Sequence, residues 1–508
     1  MAIEDRPKPD QSDQQNQHQQ QERGQEQQPQ EQGSGLWSAL RPLLLRLHFY
    51  AGVLIAPFLL VAAVSGLLYS LSFQAEKIVY AHELEVPAGG AALPLSEQID
   101  AARAAHPEGT VTEVWPAPAE NRTTRVLLST PDVPDDRSLA VFVNPYDAEV
   151  RGELTSYGSS GALPLRTWVD ELHRDLHLGE FGRNYSELTA SWLWVVALGG
   201  LALWFGRRRT RRRDLVVPAK GQAKGRTRTL NRHGALGLCA VLGLVALSAT
   251  GLTWSQHAGG NIGELKAQLG GATPVVDATL AGGTPSGGGH EGHGGSASGQ
   301  THGRDDSHSD SHSGGHGGGH GSADIGVDRA LEIARGQGID GGQLAVTLPV
   351  DGQGYVVKET DAQLPVHLDS VAVDPTDGKV VDEVAFADYP LLAKLTRFGI
   401  DAHMGVFLGL PNQLALAALM VATVLLIVWG YRMWWLRRPT KGRALSFGRP
   451  LPRGAWRKAP PLLLVPLAAA TAAVGWFVPL LGLSLLVFLV LDVGIGRLAR
   501  ARRANSSD

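Results

Sequence analysis

Residues 47–70 read LHFYAGVLIAPFLLVAAVSGLLYS, and residues 231–254 read NRHGALGLCAVLGLVALSATGLTW. Each is close to the roughly 20 apolar residues that a helix needs to cross about 30 Å of hydrocarbon. The two runs also match in register. His48 precedes Gly52 by four residues and Gly66 by eighteen, and His233 precedes Gly237 by four and Gly251 by eighteen. Equal spacings between the same residue types mark a duplicated unit.

A second pair of segments completes that unit. His177-Leu-Gly179-Glu-Phe181 follows Pro164, and His403-Met-Gly405-Val-Phe407 follows Pro390, with thirteen residues from Pro to His in both. Asp175 and Asp401 stand two residues before these histidines. The chain thus reads as two copies of span, outer segment, span. His48 to His177 is 129 residues and His233 to His403 is 170, and the 41 extra correspond to a Gly/Ser/His tract at about 281–322. Such composition reads as an inserted flexible segment.

Five stretches hold no Asp, Glu, Lys or Arg: Leu47 to Ala75, Leu188 to Gly206, Gly234 to Gly263, Ala402 to Tyr431 and Ala459 to Leu491. The last has 33 residues with Gly475 to Pro479 near its middle. As one helix it would run about 50 Å, so it is expected to fold as a hairpin of two short spans. Arg207 to Arg232 hold eleven basic residues and one acid, Arg432 to Lys458 hold nine and none, and the C-terminal tail is basic. The positive-inside rule places all three in the cytoplasm. Both chain ends then lie inside, in a multi-pass protein of the plasma (inner) membrane.

The expected fold class is an α-helical polytopic bundle, four main spans as two repeats plus a C-terminal hairpin, with two small α+β extracytoplasmic domains. The boundaries are a disordered tail 1–38, span one 39–75, outer domain one 76–165, span two with its approach 166–206, a basic loop 207–232, span three 233–258, a linker with the His-rich tract 259–323, outer domain two 324–388, span four with its approach 389–436, a basic loop 437–458, the hairpin 459–497 and a basic tail 498–508. Span one reads as an uncleaved anchor. In each outer domain, Val143-Asn-Pro-Tyr-Asp147 and Val373-Asp-Pro-Thr-Asp377 read as turns between strands.

Composition narrows the chemistry. Among 508 residues, 46 Lys and Arg balance 49 Asp and Glu, a net charge of −3. That balance argues against a nucleic-acid partner. One cysteine, Cys239, excludes an intrachain disulfide framework, a Cys-ligated iron–sulfur cluster and an all-cysteine zinc site. No P-loop, dinucleotide fingerprint or HExxH motif occurs.

Histidines at membrane depth are functional candidates by default. Two imidazoles from different helices are a natural axial pair for haem iron. By depth, His48 pairs with His233 for an inner haem b, and His177 with His403 for an outer one. His173, whose repeat partner is Gly399, is an alternative ligand or a substrate-side residue. Gly52 and Gly237 sit one turn from their histidines, where a flat macrocycle could approach the backbone. Gly66 and Gly251 lie five turns along the same face, about 27 Å away, near the outer haem. The bland alternative is interfacial histidines and small-residue helix packing. His290, His293, His302, His308, His312, His316 and His320 stand among Gly and Ser. That tract is either a solvated linker or a loose collector of a transition metal.

At these residues the chain resembles the PepSY-associated transmembrane family, whose members include iron-regulated membrane proteins and ferric-siderophore reductases. The resemblance is carried by LHFYAGVLIAPFLLVAAVSGLLYS, LHRDLHLGEFGR, NRHGALGLCAVLGLVALSATGLTW, DAHMGVFLGLPNQ and FVPLLGLSLLVFLVLD, across about 40–500. It implies PepSY-like outer domains, b-type haems between helices at His48, His177, His233 and His403, and an oxidoreductase that passes electrons to an extracytoplasmic ferric chelate or metal carrier. The donor would be a membrane quinol or a cytoplasmic reductase. The His-rich insert departs from the family pattern and leaves the metal open. The rival readings are a non-redox membrane-anchored binding or inhibitory protein, and a metal-uptake permease.

Overall fold

The computed structural model describes residues 36–206, 225–280, 324–437 and 460–505. The N-terminal tail up to 35, most of the first basic loop, the His-rich tract and the second basic loop lie outside the described residues. Among the described residues, five helices are long and apolar enough to cross a membrane: Leu40–Val79, Gly179–Phe205, Arg226–Thr253, Leu410–Trp435 and Pro479–Leu498. The protein is therefore a multi-pass membrane protein with an antiparallel sheet on one side.

Helix α1 (Leu36–Val79) is 44 residues long, about 66 Å at 1.5 Å per residue. That exceeds any bilayer core, so its last turns project beyond the span. Its partners are α5 (Gly179–Phe205), α6 (Arg226–Thr253) and α10 (Leu410–Trp435). α1 packs on α5, α5 on α6, α6 on α10 and α10 on α1, a closed ring of four. Two shorter helices on the sheet side lead into the ring, α4 (Pro164–Arg174) into α5 and α9 (Leu391–Met404) into α10. Pro164 is the first residue of α4, where its missing N–H costs nothing.

The hairpin expected near the C-terminus is two helices, α11 (Pro461–Phe477) and α12 (Pro479–Ala504), joined at Val478. α11 has 17 residues and is the shorter, apolar arm. The hairpin docks on the ring by polar contacts inside an apolar surface. The Trp192 indole N–H donates to Ser484 Oγ at 2.9 Å, and Arg46 pairs with Asp492. On the sheet side, α7 (Ala258–Gln268) is capped from α5. The buried Glu187 carboxylate accepts the N–H groups of His257 and Ala258 at 3.0 and 2.9 Å, satisfying donors that a helix start leaves unpaired.

Each outer module is one helix and four strands. The first has the single turn α2 (Ala81–Leu84), α3 (Leu95–Ala105), β1 (Thr110–Trp115), β2 (Thr124–Ser129), β3 (Arg137–Val143) and β4 (Val150–Tyr157). The second has α8 (Val327–Gly336), β5 (Leu344–Thr347), β6 (Tyr355–Glu359), β7 (Ser370–Val373) and β8 (Val380–Val384). Both Pro-containing segments are strand-to-strand turns, leaving β3 at Val143 and β7 at Val373. In them Asn144 Oδ1 accepts the Tyr146 N–H at 3.2 Å and Asp374 Oδ1 accepts the Thr376 N–H at 2.7 Å.

The modules do not stand apart. They share one eight-stranded sheet, ordered β4-β3-β2-β1-β5-β6-β7-β8. The first strands of the two copies pair antiparallel, Glu113 with Thr347 and Val114 with Val346, which builds a two-fold relation into the sheet. Pairing β1 with β5 removes two exposed edges at once. Helices α3 and α8 cover one face, with Ile99, Ala102, Ala330 and Ala334 against Val114, Val126, Val346 and Val357. Asp328 Oδ1 accepts the Leu95 N–H at 2.6 Å across the pseudo-axis.

The projecting end of α1 holds the sheet to the ring. The Glu76 carboxylate accepts from Leu163 N and Arg166 Nε, both at 3.1 Å. The two charged side chains are only 9% and 7% exposed. The Arg166 guanidinium lies over the Phe73 ring at 4.9 Å.

Candidate functional site

Four imidazoles meet in two pairs inside the ring of helices. His48 on α1 faces His233 on α6, with ring centroids 6.3 Å apart and planes at 73°. Toward the sheet, His173 on α4 faces His403 on α9, with centroids 6.5 Å apart and planes at 56°. The lower pair is the one that depth alone suggests. The upper pair corrects the His177–His403 pairing: His403 faces His173 instead.

His177 lies elsewhere for a backbone reason. Leu176, His177 and Gly179 all have left-handed φ, 57°, 55° and 58°, in the tight turn between α4 and α5. That turn points the His177 ring outward, against Trp168 at 5.0 Å, with Nδ1 3.4 Å from a Glu171 oxygen. The equivalence of His173 and His403 follows from helix length. α4 has 11 residues and α9 has 14, so a register counted from Pro164 and Pro390 drifts by about one turn at the far end. His173 and His403 are each the second-to-last residue of their helix.

Every Nδ1 of the four is spoken for. His48 Nδ1 lies 3.0 Å from the Val196 carbonyl, and His233 Nδ1 lies 3.1 Å from the Leu426 carbonyl. A carbonyl only accepts, so both Nδ1 atoms carry the proton. His173 Nδ1 lies 2.9 Å from Ser65 Oγ, and that hydroxyl donates to the Val61 carbonyl at 2.9 Å. His403 Nδ1 lies 2.6 Å from Thr250 Oγ1, which donates to the Ala246 carbonyl at 2.8 Å. A hydroxyl has one proton. With it committed to the preceding turn, each hydroxyl accepts from its imidazole. All four Nε2 atoms are therefore bare lone pairs, the state a metal ligand needs, and the Nδ1 bonds fix the ring orientations.

Burial keeps the upper pair in that state. His173 and His403 lie on α4 and α9, outside the spanning helices. Loss of hydration lowers their pKa to about 4 and about 3 from the ordinary 6.5, so both rings are neutral at pH 7.

Gly66 and Gly251 receive the imidazoles themselves. A Cβ on Gly66 would stand 3.2 Å from His173 Cε1 and 3.2 Å from Met420 Sδ, and one on Gly251 would stand 3.5 Å from His403 Cε1. Gly52 has nothing within 4 Å of such a Cβ, and Gly237 only Leu426 Cδ2 at 3.8 Å, so neither touches a ring. Sequence reasoning missed Gly200, where the His48 ring approaches closely. It also missed Ser65 and Thr250, although both are hydroxyl residues at matched positions of the repeat, next to the glycines.

A cavity of about 220 Å³ surrounds the upper pair. Its lining is largely apolar, with Leu59, Ala62, Leu193, Leu244 and Leu247, and includes Tyr157, Asp170, Arg174 and Arg183. Metal–imidazole bonds run about 2 Å, and with a ring radius of about 1 Å at each end, two imidazoles on one metal atom have centroids roughly 6 Å apart. Both pairs have that spacing. A bare ion of the zinc type takes about four protein ligands, and among the described residues no group of three or more His, Cys, Asp or Glu is placed to hold one. Iron already held by a porphyrin needs only two axial ligands. The residues present thus fit a haem rather than a bare ion. The seven histidines from His290 to His320 lie outside the described residues.

No curated protein matches the chain. The model of the family described as the PepSY-associated TM region matches residues 45–437. That stretch takes in all four paired histidines, their hydroxyl and glycine neighbours and the whole sheet, and leaves out the C-terminal hairpin. The chain belongs to the PepSY-associated TM region family.

Proposed function

We propose that this protein is a two-haem transmembrane electron carrier that reduces a ferric chelate, of the siderophore type, on the sheet side of the membrane. The observation that carries the reading is the pair of facing imidazole sets, each with both Nδ1 atoms committed and both Nε2 atoms bare. Haem b supplies reversible one-electron chemistry at iron held by two neutral nitrogens. The chain's own part is to hold those nitrogens at two depths, about 27 Å apart along α1, and to keep water from the lower pair. With one site toward each face of the membrane, an electron enters at one side and leaves at the other. The basic loops put the lower pair near the cytoplasm, where a quinol or a soluble reductase is the donor, in the plasma membrane. At the other face, reduction from Fe(III) to Fe(II) loosens hard-oxygen chelators and frees the metal. The shared sheet stands over the upper cavity as the docking surface for the chelate or its carrier.

The first test is colour. Protein purified in detergent should show an intense Soret band and, on reduction, the sharp α-band of six-coordinate b-type haem. A folded, colourless preparation overturns the proposal and leaves an anchored sheet or a permease. Glycine substitutions add a positional check. Gly66→Leu should push the His173 ring from its seat and lower the haem content, while Gly494→Ala, facing open space on the C-terminal hairpin, should leave it unchanged. Equal haem in both variants counts against the upper site.

A further inference from the structure

We propose that Arg183 grips a porphyrin carboxylate in the sheet-side cavity and so fixes which edge of the macrocycle faces out. This rests on the two-haem reading. The charged residues lining that cavity are Asp170, Arg174, Arg183 and Glu187, all from α4 and the start of α5. The walls contributed by α1, α6, α9 and α10 carry no charged side chain. A flat ligand with a largely apolar body and one acidic edge matches a cavity that is charged at one corner only.

The charges at that corner are unequally spent. The Glu187 carboxylate is occupied by the His257 and Ala258 N–H groups. Arg174 donates to Asp175 at 3.2 Å and to the Tyr157 hydroxyl. Burial pushes the Asp170 carboxyl up from its ordinary range, which weakens it as a counter-charge. Arg183 has no hydrogen bond or ion pair among the described residues, yet it lines the cavity. A free guanidinium offers two parallel N–H donors that fit a carboxylate. An arginine in that position, with nothing else to hold, is a carboxylate site.

A carboxylate could come from the porphyrin or from a chelate that carries one, and the test separates them. The full-length chain, in a His48→Ala background that leaves the sheet-side site alone, is produced without haem and titrated with protohaem IX or its dimethyl ester. The wild-type corner should bind the free acid about tenfold more tightly than the ester, the usual worth of a charge-assisted bond. Arg183→Gln should abolish that preference by weakening the free acid only. Arg183→Lys, which keeps the charge, should restore most of it and controls for misfolding. A preference that survives in Arg183→Gln overturns the inference. So does loss of ferric-citrate reduction in Arg183→Gln made in the protein with His48 intact, with the porphyrin preference unchanged, which assigns the arginine to the chelate. Failure of the Arg183-intact protein to bind either porphyrin is a different result, and strikes the two-haem reading itself.

Discussion

His173→Ala and His403→Ala should each remove about half of the bound haem, while His177→Ala should keep all of it. The three residues are close in sequence or matched in motif, so the contrast is sharp. His173 and His403 face each other at 6.5 Å with Nδ1 held by Ser65 and Thr250. Deleting either would leave one of the two imidazoles that would hold the haem, in a cavity lined largely by apolar groups. His177 stacks on Trp168 outside that cavity. His48→Ala and His233→Ala should each remove the other half, so that a lower-pair and an upper-pair substitution combined give a colourless protein. Pyridine haemochrome absorbance per mole of protein measures this directly. Full haem in His173→Ala together with loss in His177→Ala would reverse the assignment.

The second large effect lies away from the histidines. Glu76→Ala should destabilise the sheet side by about 3–5 kcal/mol, because it strands the buried Arg166 guanidinium without its counter-charge. The same change removes the acceptor for the Leu163 N–H. Replacing both partners with apolar residues of similar size should cost much less, since a buried pair is expensive to break and cheap to substitute. Arg166 stands on α4, the helix that carries His173, so the upper pair should suffer before the lower. Amide exchange should rise first in α4 and in the end of α1, with the region around His48 and His233 still protected. Uniform protection in Glu76→Ala would mean that the contact is not what joins sheet to ring.

Much of this was legible because membrane sequences are strongly patterned. The repeat could be read from His48 and His233 with their glycines, since the apolar spans hold few polar residues and each stands out. The lower pair followed from that reading. The upper pair did not. His177 and His403 share the pattern His-x-Gly-x-Phe, and each stands thirteen residues after a proline, Pro164 or Pro390. What breaks it is the 11 against 14 residues of α4 and α9, a difference with no marker in the sequence. A check survives in the structure. Val196 and Leu426, whose carbonyls hold the lower pair, each lie 23 residues beyond the upper histidines when these are taken as His173 and His403.

By itself the sequence determined the membrane class, the duplicated unit, the broken C-terminal segment and the four matched glycines, because hydropathy and spacing are properties of the chain read in one dimension. Tertiary structure alone decided that the two outer modules fuse through β1 and β5, that Gly66 and Gly251 seat imidazoles, and that His173 rather than His177 looks across at His403. Each of these depends on where a helix or strand ends relative to a partner far along the chain. A left-handed turn of a few residues then sets whether a side chain points into a cavity or away from it.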